Sequence, residues 1–293
     1  MATKSAVKDY WEAKVCGATY GRASPDGAVD LDRMAETRYR LEPYIPPFAD
    51  FPSARGKRVL ELGIGGGVDF SGWVSNGADA TGVDLTEAGI RMARTYLAQK
   101  QFDPRTYRLL VGDAENLAIK DESFDIVYSF GVLHHSPDTA RTFREVYRVL
   151  RPGGIFRGMI YHLYSPVMFM MWLRYGLLAG RPFKSVRQAV FENLESPGTK
   201  VYTRKEAGDL LTASGFTVEK VIAKISFGDL LLIKPGKKYQ SVPYRIWWRL
   251  YPRWAIRLIE KTFPGKCGGA LFFTAHKAVS EKRDSVTALR ETR

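Results

Sequence analysis

A run of glycines is the first feature of this sequence that points to chemistry. Gly63, Gly65, Gly66 and Gly67 follow a short apolar segment over residues 57–62 and precede a segment with helical spacing over 68–76. Because glycine has no Cβ, its backbone can turn tightly and approach a ligand closely. A strand, a glycine-rich turn and a helix in this order are typical of a nucleotide site at the carboxyl end of a parallel strand. An ordinary tight turn between strand and helix is the alternative.

Three carboxylates stand at or near the ends of successive apolar segments. Glu61 comes just before the glycines, Asp84 closes the segment over 80–85, and Asp113 follows the segment over 107–111. An acid about 20 residues after a glycine turn can accept two hydrogen bonds from ribose hydroxyls. Dehydrogenases share this arrangement, so Asp84 indicates that the ligand contains a ribose but does not identify the cofactor. Asp113 could instead cap the turn that follows it.

The adjacent residues His134 and His135 are the only side chains on their loop that titrate near neutral pH. A general base at a reacting centre contributes roughly 10²–10⁴-fold to a rate. The alternative is that these histidines position the backbone or help to cap the next helix through Ser136 and Asp138. His135 lies further from the preceding strand and is expected to face the reacting group.

The surrounding periodicity predicts the elements that hold these residues. Strands are expected over 57–62, 80–85, 107–111, the start of 124–138, 154–161, 216–225 and 270–277. Helices are expected over 7–15, 30–41, 68–76, 87–100, 139–150 and 203–214, with Thr86 and Thr203 as N-caps. Strands that alternate with amphipathic helices predict an α/β fold with a mostly parallel sheet.

The spacing Glu61-x-Gly63-x-Gly65-x-Gly67 resembles the first motif of the class I S-adenosylmethionine-dependent methyltransferases. Residues 124–138 closely resemble the fourth motif of that family, in its type 11-like, small-molecule branch, and the resemblance covers 57–161 in the right order. It implies a Rossmann-like, seven-stranded, doubly wound sheet whose last strand lies antiparallel between the fifth and sixth.

The resemblance also implies a role for each site residue. Glu61 would face the amino-acid end of S-adenosylmethionine, Asp84 the ribose, and Asp113 with the backbone of Ala114 the adenine. Residues 129–133 would lie along the methionine and its methyl group. The implied cofactor-binding set is Glu61, Gly63, Gly65, Gly67, Asp84, Leu85, Asp113, Ala114, Ser129 and Phe130. His134 and His135 are the catalytic candidates, and no metal is expected.

Composition and charge set the outer limits. The chain has 293 residues, of which 45% are hydrophobic, so it can bury a full core and is not a disordered protein. Cys16 and Cys267 stand far apart, which favours a reducing compartment and disfavours a structural metal. Residues 1–150 hold 19 Lys and Arg against 21 Asp and Glu, a net charge of −2, whereas the rest holds 25 against 10, a net charge of +15.

Seven segments are expected along the chain: an N-terminal helical appendage (1–56), a cofactor-binding core (57–161), a first cap insertion (162–202), a core helix and strand (203–227), a basic aromatic second cap insertion (228–269), the final core strand (270–279) and a flexible tail (280–293). The prolines at 43, 46 and 47 are expected to break the helical pattern before the sheet. Tyr10, Trp11, Tyr20 and Tyr39 could cover the site, although packing of the appendage onto the sheet is the favoured interpretation for each.

The second insertion carries arginine every fourth residue, at Arg245, Arg249, Arg253 and Arg257, with Trp247, Trp248 and Trp254 between them. Pro252 must interrupt any helix there. A basic, tryptophan-rich segment over 245–257 suits an anionic membrane surface. A cap with its arginines in water is the favoured alternative.

The leading hypothesis is methyl transfer from S-adenosylmethionine to a small-molecule or lipid-like acceptor by in-line displacement. An RNA methyltransferase is the first alternative, disfavoured because no RNA-binding module is recognisable. A non-catalytic adaptor at a membrane or protein surface is the second, and a dehydrogenase is the most distant. No signal peptide or membrane span is visible, so a cytoplasmic protein is expected, with peripheral membrane contact left open. Neither the acceptor nor the oligomeric state follows from the sequence.

Overall fold

The computed structural model describes residues 3–21, 29–226, 228–229 and 253–279. Seven strands form one sheet: β1 (Arg58–Leu62), β2 (Asp79–Asp84), β3 (Tyr107–Val111), β4 (Phe124–Phe130), β5 (Leu150–Tyr161), β6 (Thr217–Lys224) and β7 (Ala270–His276). Their order is β3-β2-β1-β4-β5-β7-β6. The pairs within β1–β5 are parallel, and β7 lies antiparallel between β5 and β6. This arrangement confirms the fold predicted from the sequence.

The strand order creates a crevice beside β1. The chain moves outward from β1 to β2 and β3, then returns to place β4 on the other side of β1. The loops that leave β1 and β4 therefore diverge at their carboxyl ends, where ligands bind in open α/β sheets. Buried apolar residues such as Leu60 and Val127 pair across this junction and fix the two strands rigidly.

The described helices are α1 (Lys4–Ala13), α2 (Leu31–Leu41), α3 (Ile45–Ala49), α4 (Val68–Ser75), α5 (Glu87–Gln99), α6 (Thr139–Val149), α7 (Pro166–Tyr175), α8 (Val186–Asn193), α9 (Arg204–Ala213) and α10 (Arg253–Thr262). The predicted caps are present. Thr86 accepts a hydrogen bond from the backbone of Gly89. Thr203 and Glu206 form a reciprocal capping box at the start of α9.

Several boundaries differ from the sequence-based expectation, among them the first helix, which spans Lys4–Ala13 instead of 7–15. Pro46 and Pro47 do not break the chain but lie in the first turn of α3, where a missing N–H is tolerated. β5 begins at Leu150 instead of 154, because Leu150 already pairs with Phe124 before an irregularity in the register. The predicted end of α6 is correspondingly one residue too long.

The first insertion, residues 162–202, folds around its own small core. Met168 and Met171 of α7 pack with Val190 of α8 and Val201. These two methionines are therefore part of an interior and not of an exposed surface. Its last residues return to the sheet, where Tyr202 exchanges backbone hydrogen bonds with Tyr161 and Leu163.

Much of the second insertion, including Arg245, Arg249, Pro252, Trp247 and Trp248, lies outside the described residues, as does the tail over 280–293. The predicted run of arginines at every fourth residue is described only where it enters α10. There Trp254 and Arg257 are exposed. No helix in the described ranges is long and apolar enough to cross a bilayer.

Candidate active site

A large cavity opens at the carboxyl ends of β1, β2, β3 and β4. It contains about 1230 Å³ of empty space, part of which is open to solvent. Nine of the predicted site residues line it: Glu61, Gly63, Gly65, Asp84, Leu85, Asp113, Ala114, Phe130 and His135. Gly67, Ser129 and His134 are not among the lining residues. The three carboxylates predicted from separate strand ends therefore share one cavity.

The glycine turn is held in shape by its neighbours. Gly63 has a φ of +76°, and a Cβ there would lie 2.3 Å from a methyl carbon of Val132. The N–H of Gly65 donates to Oδ2 of Asp84 over 2.9 Å, which ties the turn to the end of β2. Gly67, with a φ of +81°, packs against Ala93 of α5. Gly67 thus lets the turn pack closely against α5 and does not itself line the cavity.

Asp84 and Asp113 each accept hydrogen bonds from nearby backbone N–H groups and also line the cavity. Oδ1 of Asp84 accepts hydrogen bonds from the N–H of Thr86 at 2.9 Å and from its hydroxyl at 2.7 Å. Oδ1 of Asp113 accepts from the N–H of Glu115 at 2.9 Å, which is the turn-capping contact considered from the sequence. Each carboxylate is thereby fixed in orientation, and Oδ2 of Asp84, which accepts one hydrogen bond, retains acceptor capacity. Ser129, by contrast, is buried and donates to the backbone oxygen of Leu62.

Glu61 lies at the deep end of the cavity and is 4% exposed. Its Oε2 accepts a hydrogen bond of 2.8 Å from Nε1 of Trp73. Burial, and then the nearby carboxylate of Asp69, raise the pKa of Glu61 well above its ordinary value. A buried carboxylate in this position would gain stability from a cationic ligand.

The structure adds residues to the cavity that no pattern in the sequence singled out. Arg38 of α2 lines it and forms a two-pronged ion pair with Asp69, from Nε at 2.9 Å and Nη2 at 2.6 Å. A further contact of 3.3 Å joins Arg38 to Glu42. Burial opposes the charge on Arg38, but Asp69 raises its pKa well above the ordinary range, so it stays cationic. Since α2 precedes the sheet, only tertiary packing brings this charge to the site.

Helix α1 covers the cavity along its length. Nζ of Lys4 lies 2.5 Å from Asp113 and 2.7 Å from Glu115. Glu12 accepts hydrogen bonds of 2.9 Å from both Glu87 N–H and Ala88 N–H at the start of α5. Trp11 also lines the cavity, whereas Tyr10, Tyr20 and Tyr39 are not among the lining residues. The N-terminal appendage is therefore part of the site, and one of its four candidate aromatics faces the cavity.

The two histidines occupy different environments. His135 lines the cavity, with Nδ1 2.9 Å from the Ser196 hydroxyl and 3.0 Å from the Thr199 hydroxyl. His134 is fully buried, and burial followed by the influence of His135 and Lys200 lowers its pKa well below the ordinary value. Its ring packs on Tyr161, with centroids 3.9 Å apart. His134 therefore stays neutral and outside the cavity.

Glu195, from the first insertion, completes a cluster around the histidines. Within the described ranges, ligand-type atoms of His134, His135 and Glu195 approach within 4.8 Å of one another. The hydroxyls of Ser196, Thr199 and Tyr161 already engage His135 and Glu195.

Comparison with known proteins agrees with this geometry. A family model described as a methyltransferase domain matches residues 60–157. The chain is 44% identical over 101 residues to phthiotriol/phenolphthiotriol dimycocerosates methyltransferase 1 of Mycobacterium ulcerans, a match that covers 34% of this chain and 35% of the relative. It is 37% identical over 103 residues to a ubiquinone biosynthesis O-methyltransferase of Pseudomonas entomophila, covering 35% and 43%. The matches thus span less than half the length of these relatives.

Solved structures share the fold over most of the chain. Geranyl diphosphate C-methyltransferase from Streptomyces coelicolor, solved with Mg²⁺, geranyl diphosphate and S-adenosyl-L-homocysteine, aligns with a TM-score of 0.61 at 13% identity, covering 94% of this chain and 99% of that one. An S-adenosylmethionine-dependent methyltransferase from Mesorhizobium loti aligns with a TM-score of 0.53 at 21% identity, covering 84% and 99%. Residues 60–157 therefore match a methyltransferase domain, and the described fold is the one that these solved methyltransferases share.

Proposed function

We propose that this protein binds S-adenosylmethionine in the cavity and transfers its methyl group to a small-molecule or lipid-like acceptor. The observation that carries the proposal is the meeting of Glu61, Asp84 and Asp113 in one cavity beside the glycine turn. The bound cofactor would supply a methyl group already activated on a sulfonium. Glu61 would hold the cationic ammonium group, Asp84 the ribose hydroxyls and Asp113 the adenine amino group.

The residues fit this ligand in charge as well as in position. The buried Glu61 carboxylate, whose pKa is raised, gains a cationic partner when an ammonium group enters. Arg38 remains cationic beside it and retains N–H groups for a carboxylate, because its contacts to Asp69 and Glu42 use only part of its five donors. One end of the cavity can thus match both charges of an amino-acid group.

His135 is the residue proposed to accept a proton from the acceptor. It lines the cavity next to the loop that follows β4, where the resemblance places the methyl group. The larger part of the rate would come from alignment of acceptor, methyl and sulfur, since orientation supplies about 7–11 kcal/mol. A single base would add about 10²–10⁴-fold.

A lipid-like acceptor is supported by the relatives, whose names refer to phthiotriol dimycocerosates and to ubiquinone biosynthesis. Their similarity covers about a third of this chain, so the acceptor is proposed by class alone. The two insertions, which lie outside the matched residues 60–157, would contribute to acceptor binding, the first of them through Glu195 beside His135.

Isothermal titration calorimetry with S-adenosylhomocysteine tests the cofactor. We expect binding of this compound and none of NAD; no heat of binding on folded protein would refute the proposal. The acceptor class is tested by incubation with methyl-labelled S-adenosylmethionine and, separately, a quinol, a long-chain diol and an RNA oligonucleotide. Label in the organic extract supports the proposal, whereas label in RNA alone favours the RNA methyltransferase alternative.

We further propose that the segment 245–257 contacts an anionic membrane that holds such an acceptor. The described part of the second insertion supports this: α10 exposes Trp254 by 69% and Leu258 by 53%, beside exposed Arg257 and Lys261. Each basic residue near an anionic surface contributes about 1 kcal/mol. Replacing Arg245, Arg249, Arg253 and Arg257 together with glutamine should abolish sedimentation with phosphatidylserine vesicles. Unchanged sedimentation would exclude this contact.

A further inference from the structure

An acidic side chain from outside the sheet lies next to His135. Glu195 follows α8 in the first insertion, and its Oε2 lies 3.4 Å from Nε2 of His135. The same oxygen accepts a hydrogen bond of 2.9 Å from the hydroxyl of Tyr161, the last residue of β5. Trp11 of α1 packs edge-on against the imidazole from the other side, with ring centroids 5.1 Å apart. The imidazole is thus held by the sheet, the first insertion and α1.

Hydroxyl groups of the first insertion contact Nδ1 of His135. The hydroxyl of Thr199 donates its only hydrogen to the backbone oxygen of Ser196 over 2.7 Å, so toward Nδ1, 3.0 Å away, it can act only as an acceptor. The Ser196 hydroxyl, 2.9 Å from Nδ1, can donate or accept. Nε2 is buried and faces the Glu195 carboxylate.

The backbone of Glu195 is itself unusual. Its φ of +54° is in the left-handed region, which it shares with only three other non-glycine residues in the described ranges. Side chains other than glycine rarely adopt this conformation, and such outliers cluster at functional sites. The strained turn carries the carboxylate to the imidazole, which a regular continuation of α8 would not do.

Given the proposed methyl transfer, on which this inference rests, we propose that Glu195 is a positioning residue for His135. Its carboxylate orients the imidazole and stabilises the positive charge that the ring acquires when it takes a proton from a hydroxyl of the acceptor. In that step the acceptor O–H bond breaks, its electron pair forms the new bond from oxygen to the methyl carbon, and the pair of the carbon–sulfur bond remains on sulfur. The proton ends on the imidazole of His135, whose positive charge then faces the carboxylate.

The charge states of the neighbours agree with this role. Burial opposes ionisation of Glu195, but contact with His135 and the Tyr161 hydrogen bond lower its pKa below the ordinary value, so it is anionic at neutral pH. Burial and Glu195 raise the pKa of Tyr161 well above its usual range, so its hydroxyl keeps the proton it donates. Other titratable groups in the described ranges interact with the pair: His134 from the loop after β4, Glu42 next to α2, and Tyr10, Lys14, Cys16 and Tyr20 from the N-terminal segment.

The chain contains only four histidines, so the proposal can be tested by NMR on the full-length protein. Histidine labelled with ¹³C at Cε1 is titrated from pH 5 to 9 with S-adenosylhomocysteine present, and the His135 signal is assigned with His135→Gln. In Glu195→Gln we expect the His135 midpoint to move to lower pH, because the carboxylate 3.4 Å from Nε2 no longer stabilises the protonated ring. Glu195→Asp should restore part of the shift.

A matched pair elsewhere in the chain provides the control. Glu219 lies 2.7 Å from Nε2 of His276 on the exposed edge of β6 and β7. Glu219→Gln should move the His276 midpoint and leave His135 unchanged, while Glu195→Gln should do the reverse. Equal His135 midpoints in wild type and Glu195→Gln would overturn the proposal. A wild-type His135 titration that changes on addition of EDTA would also overturn it, because a bound cation would then act at Nε2.

The cofactor proposal is separated from this one by calorimetry. Glu195 is not among the cavity-lining residues, so Glu195→Gln should bind S-adenosylhomocysteine within about twofold of wild type. A wild-type protein that does not bind this compound refutes the proposed function. Normal binding with an unshifted His135 titration refutes only the role of Glu195.

Discussion

Replacing Glu61 with glutamine is expected to weaken cofactor binding while leaving the protein at least as stable as wild type. Glutamine has nearly the same shape, and its carbonyl oxygen can still accept the 2.8 Å hydrogen bond from Nε1 of Trp73. The substitution therefore removes the negative charge and keeps the packing. The two consequences have opposite signs, which distinguishes a ligand-binding carboxylate from a structural one.

The binding loss follows from the charge. A hydrogen bond between charged groups contributes about 1.5–3 kcal/mol, so its loss corresponds to an increase in Kd of about 10- to 150-fold. Glu61 is 4% exposed, so little water can replace the missing interaction. The ammonium group is common to S-adenosylmethionine and S-adenosylhomocysteine, and the non-methylating product can be used to measure the effect.

The stability effect follows from the raised pKa of Glu61. A carboxyl whose folded-state pKa exceeds its unfolded value of 4.5 stabilises the fold below that pH, and this contribution is lost as pH rises through the folded-state value. Wild type should therefore lose stability over this interval relative to Glu61→Gln. At pH 8 the variant should unfold at an equal or higher urea concentration.

Calorimetry with S-adenosylhomocysteine and urea unfolding at pH 5 and pH 8 measure the two effects on the same samples. Glu219→Gln, at an exposed position outside the cavity, is the matched control and should change neither. A Kd within threefold of wild type would refute the placement of Glu61 at the ammonium group. A variant less stable at both pH values would show that Glu61 is required for folding through its contact with Trp73.

Three further substitutions test the supporting structure. Gly63→Ala should lower the free energy of unfolding by about 2–4 kcal/mol and abolish S-adenosylhomocysteine binding, because the added Cβ would lie 2.3 Å from Val132 at a φ of +76°. The control is Gly208→Ala on α9, which has open space around it. This variant should be neutral or stabilising in the same urea measurement. Thr203→Ala should cost about 1 kcal/mol in urea unfolding through loss of the capping box, and no change would contradict the cap assignment. Glu12→Ala should speed release of S-adenosylhomocysteine about fivefold in stopped-flow experiments, since it removes the contact of α1 with the start of α5; an unchanged rate would show that α1 does not limit release.

The cofactor side of the site follows from local features of the sequence. Each of Glu61, Asp84 and Asp113 stands at or near the end of a short apolar strand, and parallel strands bring such ends to one edge of a sheet. The glycine turn also follows locally, because its positive φ angles require glycine. Nine of the predicted site residues consequently line the cavity. Their roles toward the cofactor remain predictions until binding is measured.

Neighbouring residues show where local reasoning ends. His134 and His135 are equivalent as sequence, yet one is fully buried and neutral while the other lines the cavity. The short turn over 133–135 that follows β4 places the two rings in different surroundings. Sequence spacing indicated that His135 would face the reacting group, but the packing of Tyr161 on His134 decides it.

The sequence by itself determined the strands, the helices and the carboxylates at the strand ends, because hydrophobic period, caps and glycine turns act over a few residues. The arrangement of the sheet followed from the resemblance to a known family. Only the tertiary structure brought Lys4 and Trp11 of α1 and Arg38 of α2 to the cavity, and Glu195 of the first insertion to His135. Their arrival depends on how whole helices and insertions pack on the sheet. Contacts of this kind join segments that are far apart in the sequence, so no local repeat of residue types predicts them.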